Sequence, residues 1–391
     1  MIKMIGNLLR GCAGLAAVVL VACSGLAAAE QVTIRFMHWG LSESYVERNE
    51  RLIAEFERLN PDIKIERIEG GSNEDYDMAL LARIAGGGAP DVFMVDLQFI
   101  PAYSDFALDL RPYVESTPEF GWERLAAAAR DIMSVGDKIV GTLDSISPNI
   151  WFYNAEMFEV AGLEYPTVMW KNGGWTWEDF RDVSRKLHRE DGNGNVLVWG
   201  NSAGTGQALN RLFMWSNGAP EYDDVRHPTR ALYDAPEAIE AVRFVQQMQI
   251  EDRISLPFGE NPVFVNGDVA MMARWSSGIA AFGRTEGFRF GIAPYPKGPS
   301  EGGRYASDIG ASIYMVASTT DHPEAAWRFA AFLGGRDAAP VFGELGPGVP
   351  IHPGVPIGFI PPAMLFPEVL FDLIDLPNQG NQFRLMSKNA P

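Results

Sequence analysis

From Val32 to Asp96 the apolar residues switch repeatedly between two periods, and that alternation restricts the fold more than any other feature of the chain. Val32-Thr33-Ile34-Arg35-Phe36-Met37 alternates in steps of two, as a half-buried strand does. Tyr45, Leu52, Phe56 and Leu59 then recur at seven, four and three residues, the spacing of one helical face, until Asn60-Pro61 stops it. Ile63, Ile65 and Ile68 make a second strand, and Tyr76, Leu80, Leu81 and Ile84 line a second helix. Gly86-Gly87-Gly88 ends that helix by offering positive φ at no steric cost. Asp91 to Val95 is a buried strand ending at Asp96. A β-α-β-α-β order needs crossover connections, which predicts a parallel sheet with helices packed on its faces.

Further along, Trp151-Phe152-Tyr153-Asn154, Val196 to Trp199, Val269 to Met272 and Ser312 to Val316 are expected strands. Thr176-Trp177-Glu178-Asp179 has the form of a capping box ahead of Phe180, Val183 and Leu187. Pro236 opens a helix expected to bury Ile239, Val242, Val245 and Met248, and Asp321-His322-Pro323-Glu324 is expected to cap a helix through Trp327 and Phe332. Ile292 to Pro296 is extended and reads as a crossing between lobes. The last stretch is crowded with Pro and Gly, with helix visible only around Glu368 to Ile374.

The N-terminus reads as an address. Lys3 and Arg10 precede the apolar Gly11 to Ala22, and Ala27-Ala28-Ala29 then supplies a small-residue cleavage site before Glu30, so residues 1–29 are expected to be a secretory signal. A second cut competes: Leu20-Val21-Ala22-Cys23 resembles a lipobox, in which Cys23 would carry lipid. Both cysteines, Cys12 and Cys23, fall in this segment, so the remainder has no disulfide and no thiolate metal site. The net charge of −18 is the wrong sign for neutralising phosphates, which argues against nucleic acid as a partner.

Enzyme signatures are present only in fragments. Gly200-Asn201-Ser202-Ala203-Gly204 fits a nucleophile elbow after a strand, but Thr205-Gly206 prolongs the loop where a helix should begin at once. Asp252 or Asp308 with His322 or His352 could complete a triad around Ser202, as pairs in any long chain could. Asp191-Gly192-Asn193-Gly194-Asn195 starts like a calcium loop, then has Val196 where the sharp turn wants Gly and Ser202 where a bidentate Glu is needed, so a tight turn is the better reading. The five histidines are scattered, and no phosphate loop or cofactor motif occurs. Glu43, Asp96 and Asp144 near strand ends keep a pair of hydrolytic carboxylates in view as a minor alternative.

Several segments together resemble one family. Trp39-Gly40, Leu52 to Glu57 through Asn60-Pro61-Asp62-Ile63, Gly87-Gly88-Ala89-Pro90-Asp91-Val92, Tyr153-Asn154 with Phe158, Thr176 to Phe180, Asn266-Gly267-Asp268-Val269-Ala270-Met271, and Pro323 to Trp327 with Phe332-Leu333 are similar to the family 1 extracellular solute-binding proteins of bacterial ABC importers. The resemblance implies an α/β, two-lobe, periplasmic-binding-protein-like (type II) fold with hinge crossings and an interlobe cleft. Lobe one would be 30–143 and 296–340, lobe two 144–295 and 341–391, with crossings near Gly141 to Asp144 and Ile292 to Pro296.

It further implies a non-enzymatic, exported, monomeric receptor without cofactor or metal, whose partners are a small carbohydrate and the membrane subunits of an ABC permease. The ligand is expected beyond the strand ends, where indoles beside polar groups suit a sugar's C–H faces and hydroxyl rim. The expected set is Trp39, Gly40, Ser42, Glu43, Asp96 in Asp96-Leu97-Gln98, Asp144, Ser147, Asn154, Trp199, Trp215, Trp275 and Gly310. Arg304 and Arg384 complete the set and would matter most if the ligand carries a phosphate, since Arg offers a bidentate fork. A polyamine or other small solute in the same fold, or a secreted hydrolase using Ser202, are the alternatives. Trp177 and Trp327, on amphipathic helices, are expected in the core.

Overall fold

The structure is a computed structural model that describes residues 31–39, 43–71, 73–204, 207–223, 229–260, 262–345, 348–352 and 360–374. The signal-like segment, Gly40, Ser42 and Arg384 therefore lie outside the described residues.

Strands β1 (Val32–His38), β2 (Ile63–Glu69) and β3 (Val92–Asp96) form the predicted parallel unit, with β1 central and in register with β2 from Val32↔Ile63 to His38↔Glu69. The crossovers are the helices Glu43–Leu59 and Asn73–Ala85. Ile34, Phe36, Met37 and Val92 to Val95 are almost fully buried because helices cover the sheet's faces. Leu52 and Phe56 face that core, whereas Leu59, 44% exposed, has already turned out of it.

After a small hairpin, β4 (Ser134–Val135) with β5 (Lys138–Ile139), the chain enters β6 (Thr142–Leu143) on the edge of the first sheet and then β7 (Ser145–Asn154), the spine of the second. The second sheet adds β8 (Arg189–Glu190), β9 (Val196–Asn201), β10 (Val269–Trp275) and β11 (Phe290–Ala293), in the order β11-β7-β10-β9-β8. Two further short strands, β12 (Asp308–Gly310) and β14 (Val349–Pro350), also pair with β7. Between them β13 (Ser312–Val316) returns to the first sheet, antiparallel to β3 and β6.

Among the described residues three crossings follow from this topology. Asp144 separates β6 from β7. Ala311 separates β12 on the second sheet from β13 on the first. The third runs from the helix Ala339–Leu345, whose Phe342 lies under Arg48 of the first lobe, to β14. The expected crossing at Ile292 to Pro296 is displaced to Ala311. Ile292 and Ala293 are held in β11, and Tyr295 and Lys297 bridge Ala306 and Thr176, which keeps residues 296–310 with the second lobe.

The capping box forms as predicted at the helix Trp177–Leu187, with Thr176 and Asp179 bonding each other's backbone N–H, and Trp177 and Trp327 are buried. The helix Pro236–Gln246 is rotated from expectation. Val245 and Met248 are buried as expected, but Ile239 and Val242 are exposed and Ala238, Ala241 and Phe244 take their place, because the alanines allow close approach to the helix Gln207–Ser216 while Phe244 stacks on Trp177 at 4.4 Å. At the helix Pro323–Leu333, His322 occupies the cap position without a side-chain capping bond. No helix among the described residues is long and apolar enough to cross a membrane.

Candidate functional site

The site forms where the chain passes between the sheets at Ala311. Asp96 is the last residue of β3 and pairs with Ser312, the first residue of β13, whose hydroxyl donates to Asp96 Oδ1 at 3.2 Å. Leu97 donates its N–H to the Ala311 carbonyl at 3.0 Å, so the turn after β3 is tied to the crossing itself. On the other side, Trp275 ends β10 opposite Asn149, and Gly310 ends β12 opposite Ser147. Gly310 lies under the indole: a Cβ there would fall 3.0 Å from Trp275 Cζ3 and 3.4 Å from the Ser147 carbonyl. A close approach of backbone to ring explains the missing side chain.

Between these elements lies a cavity of about 260 Å3, lined by Asp96, Leu97 and Gln98 from the first lobe, Arg211, Trp275, Asp308 and Ile309 from the second, and Gly310-Ala311 at the crossing. Arg211 comes from the helix Gln207–Ser216 and bonds Asp308 Oδ2 at 2.7 Å, with Glu221 at 3.8 Å behind it. Its guanidinium stands 5.1 Å from the Trp215 ring, an i,i+4 placement on one helix face. Burial raises the Asp96 carboxyl to about 6, against the Ser312 hydrogen bond and with help from the charge of Asp77. Burial also raises Asp308, opposed by Arg211.

A larger cavity of about 510 Å3 lies at the opposite end of β7, lined among others by Asn154, Met157, Lys186, Arg189 and Phe288. All its walls belong to the second lobe, so movement of one lobe on the other cannot close it. The smaller cavity takes walls from both lobes and from a crossing, and for that reason it is the candidate.

The structure brings Asp96, Trp275 and Gly310 to this cavity, with Ser147 beside Gly310 and bonded to the Ser276 hydroxyl at 2.9 Å. Asp144 sits at the first crossing, accepting from Tyr314 at 2.9 Å and Ser145 at 3.0 Å, and burial raises its carboxyl despite Arg48. Other expected residues are set apart. Trp39, 5% exposed, packs on Tyr76 at 5.3 Å inside the first lobe. Trp215, 1% exposed, lies beneath Arg211. Trp199 pairs with Val269 at the start of β10, the end remote from Trp275, and packs on His188. Asn154 caps the helix Ala155–Ala161 by accepting the Met157 N–H, and Arg304 donates to the Trp215 carbonyl at the end of the helix Gln207–Ser216. Glu43 opens the first helix.

Arg211 was not singled out from the sequence, and Asp308 only as a triad partner for Ser202. The available signal was Arg211 four residues before Trp215 on an amphipathic segment. Ser202 itself is 1% exposed and its hydroxyl accepts the Ala273 N–H at 3.0 Å, an interior strand-to-strand tie instead of an exposed nucleophile. Asp191 Oδ1 accepts the N–H groups of Asn193 and Asn195 at 2.8 Å, so that loop is a tight turn.

A two-lobed molecule with a cavity at its crossings is the architecture of a binding protein, and residues 44–340 match the family model described as bacterial extracellular solute-binding protein. The chain belongs to that family. Among relatives of this solute-binding protein, an uncharacterized lipoprotein of Streptomyces antibioticus is 28% identical over 177 residues, 43% of the chain and 36% of the relative, so the chain spans about a third of that protein's length. The arabinooligosaccharide-binding protein of Bacillus subtilis is 25% identical over 317 residues, 76% of this chain and 68% of the relative. The ABC substrate-binding protein of Listeria monocytogenes in complex with cycloalternan superposes with a TM-score of 0.72 at 24% identity, covering 88% of this chain and 87% of that one. At that identity the likeness speaks for the shared two-lobe α/β fold.

Proposed function

We propose that this solute-binding protein is the extracytoplasmic receptor of an ABC importer and binds a sugar or oligosaccharide between its lobes, handing it unchanged to a membrane permease. The observation that carries the reading is the cavity at Ala311, lined by Asp96 of one lobe and Trp275 of the other. A pyranose or furanose needs such a pair: C–H groups pack on the π-face, and hydroxyls donate to the carboxylate. Each buried hydroxyl left without a partner costs about 1–3 kcal/mol, which is the basis of discrimination. The relative that binds arabinooligosaccharides and the neighbour that holds cycloalternan support the same ligand class.

Ligand seated on Trp275 offers its far rim to Asp96 only when the lobes approach, so binding shifts the open–closed equilibrium by the difference in affinity for the two states. The short crossings at Asp144 and Ala311 are where that change would be absorbed. No nucleophile is required, and the buried Ser202 offers none. We read residues 1–29 as the export signal, Cys23 as the lipid site if the earlier cut is used, and the receptor as a monomer. Isothermal titration of the purified protein with arabino-, malto- and mannooligosaccharides, followed by chromatography of the recovered ligand, tests the reading. Saturable binding with intact ligand is expected; products of hydrolysis, or binding of spermidine and no saccharide, would overturn it.

A further inference from the structure

We infer that the cleft accepts neutral saccharides and rejects their anionic counterparts, uronates and sugar or glycerol phosphates, because Asp96 faces the ligand while the guanidinium of Arg211 is already matched by Asp308. The inference rests on the reading of the chain as a saccharide receptor and decides between two ligand classes that the sequence leaves open.

Three charged side chains line the cavity among the described residues: Asp96, Arg211 and Asp308. Arg211 and Asp308 are bonded at 2.7 Å with side chains 12% and 9% exposed, and Glu221 approaches the guanidinium from behind at 3.8 Å. Two carboxylates thus answer one cation before any ligand arrives, and a phosphate would have to displace a shielded, short ion pair. Among the described residues Asp96 accepts a hydrogen bond from Ser312, and Asp77, a further anion, is a charged neighbour. The remaining lone pairs of an ionised carboxylate accept only. They suit O–H donors and repel a phosphate or carboxylate, a like-charge juxtaposition that builds selectivity by exclusion. With its carboxyl raised to about 6, Asp96 remains mostly ionised at neutral pH. Arg304, the arginine of the expected set that falls among the described residues, is engaged with the Trp215 carbonyl at a helix C-terminus, where a cation complements the helix dipole.

The test compares arabinotriose, maltotriose and mannotriose with their terminal-uronate forms, together with glycerol 3-phosphate, by isothermal titration of the full-length protein near pH 7.5. At least one neutral trisaccharide is expected to bind, with its uronate weaker on the order of a hundredfold. Asp308→Asn releases Arg211 from its nearest carboxylate and is expected to narrow that gap by about tenfold or more; Asp96→Asn, at a less buried position, is expected to narrow it too. Equal affinity for a neutral sugar and its uronate, or a gap that neither variant moves, overturns the inference while the receptor reading stands. Binding of glycerol 3-phosphate in preference to every sugar also overturns it. Failure of every saccharide, neutral or acidic, to bind overturns the receptor reading itself.

Discussion

Gly310, next to the second crossing, lies so close to the indole of Trp275 that a single added methyl would stand 3.0 Å from Cζ3. The ring that the ligand would stack on is therefore braced by the backbone of the segment that joins the lobes. Gly310→Ala must push the indole or the strand carrying it. We expect a loss of saccharide affinity of about tenfold with a small drop in melting temperature, because overpacking of this kind costs roughly 1–3 kcal/mol. Affinity equal to that of the parent would show that Trp275 has room to yield without cost.

Trp275→Ala removes the stacking face outright. Trp275 is half-buried at a cavity wall and has no part in either core, so the variant should stay folded by circular dichroism while affinity falls on the order of tenfold to a hundredfold. By contrast Trp39→Ala, which empties a buried site against Tyr76, should lower stability by about 3–5 kcal/mol in a urea titration. If the two variants exchange these outcomes, the assignment of cleft and core is reversed.

Asp96 links the cleft to pH. Its carboxyl is raised to about 6 in the folded protein, above the ~3.9 of an unfolded aspartate. Between those values the native state holds more protons than the unfolded state, so this residue's contribution to stability falls as pH rises through that window and is regained on acidification. The groups around it are Asp77 and Tyr76 on the helix Asn73–Ala85, Ser312 on β13, and Arg211 with Asp308 across the cavity. Melting curves of the parent and Asp96→Asn from pH 7.5 to 5 should converge toward the parent's favour as pH falls. Saccharide affinity of the parent should weaken below about pH 6 as the acceptor protonates. A pH profile identical in both proteins would remove Asp96 from either role.

The capping box offers a control remote from the ligand. Thr176→Ala deletes the acceptor of the Asp179 N–H, and a loss of about 1 kcal/mol in denaturant unfolding is expected with no change in affinity. A loss of binding would mean that the helix Trp177–Leu187 transmits to the cleft.

The parallel unit of the first lobe was legible because its strands and helices carry their own periods, and the capping box because Thr176 and Asp179 are only three residues apart. The second crossing was not. Ile292 to Pro296 looks extended, but only long-range pairing reveals that Tyr295 is tied to Ala306 and that the sheet switch waits until Ala311. The indoles illustrate the limit of local pattern. Trp39, Trp199, Trp215 and Trp275 all stand in polar or glycine-containing segments near strand or helix ends, and which of them faces the cavity depends on strand register and on what Arg211 covers. The Arg211–Asp308 pair was invisible for the same reason, since its partners are 97 residues apart.

On the proposed function a saccharide sits between Asp96 and Trp275, beside the crossing at Ala311. A crystal structure of the protein grown with a bound oligosaccharide tests it most directly. A sugar ring against the Trp275 indole, with a hydroxyl donating to Asp96, is the expected result. A sugar found instead in the second lobe's other cavity, between Asn154 and Phe288, with the interlobe space holding only solvent, would contradict it.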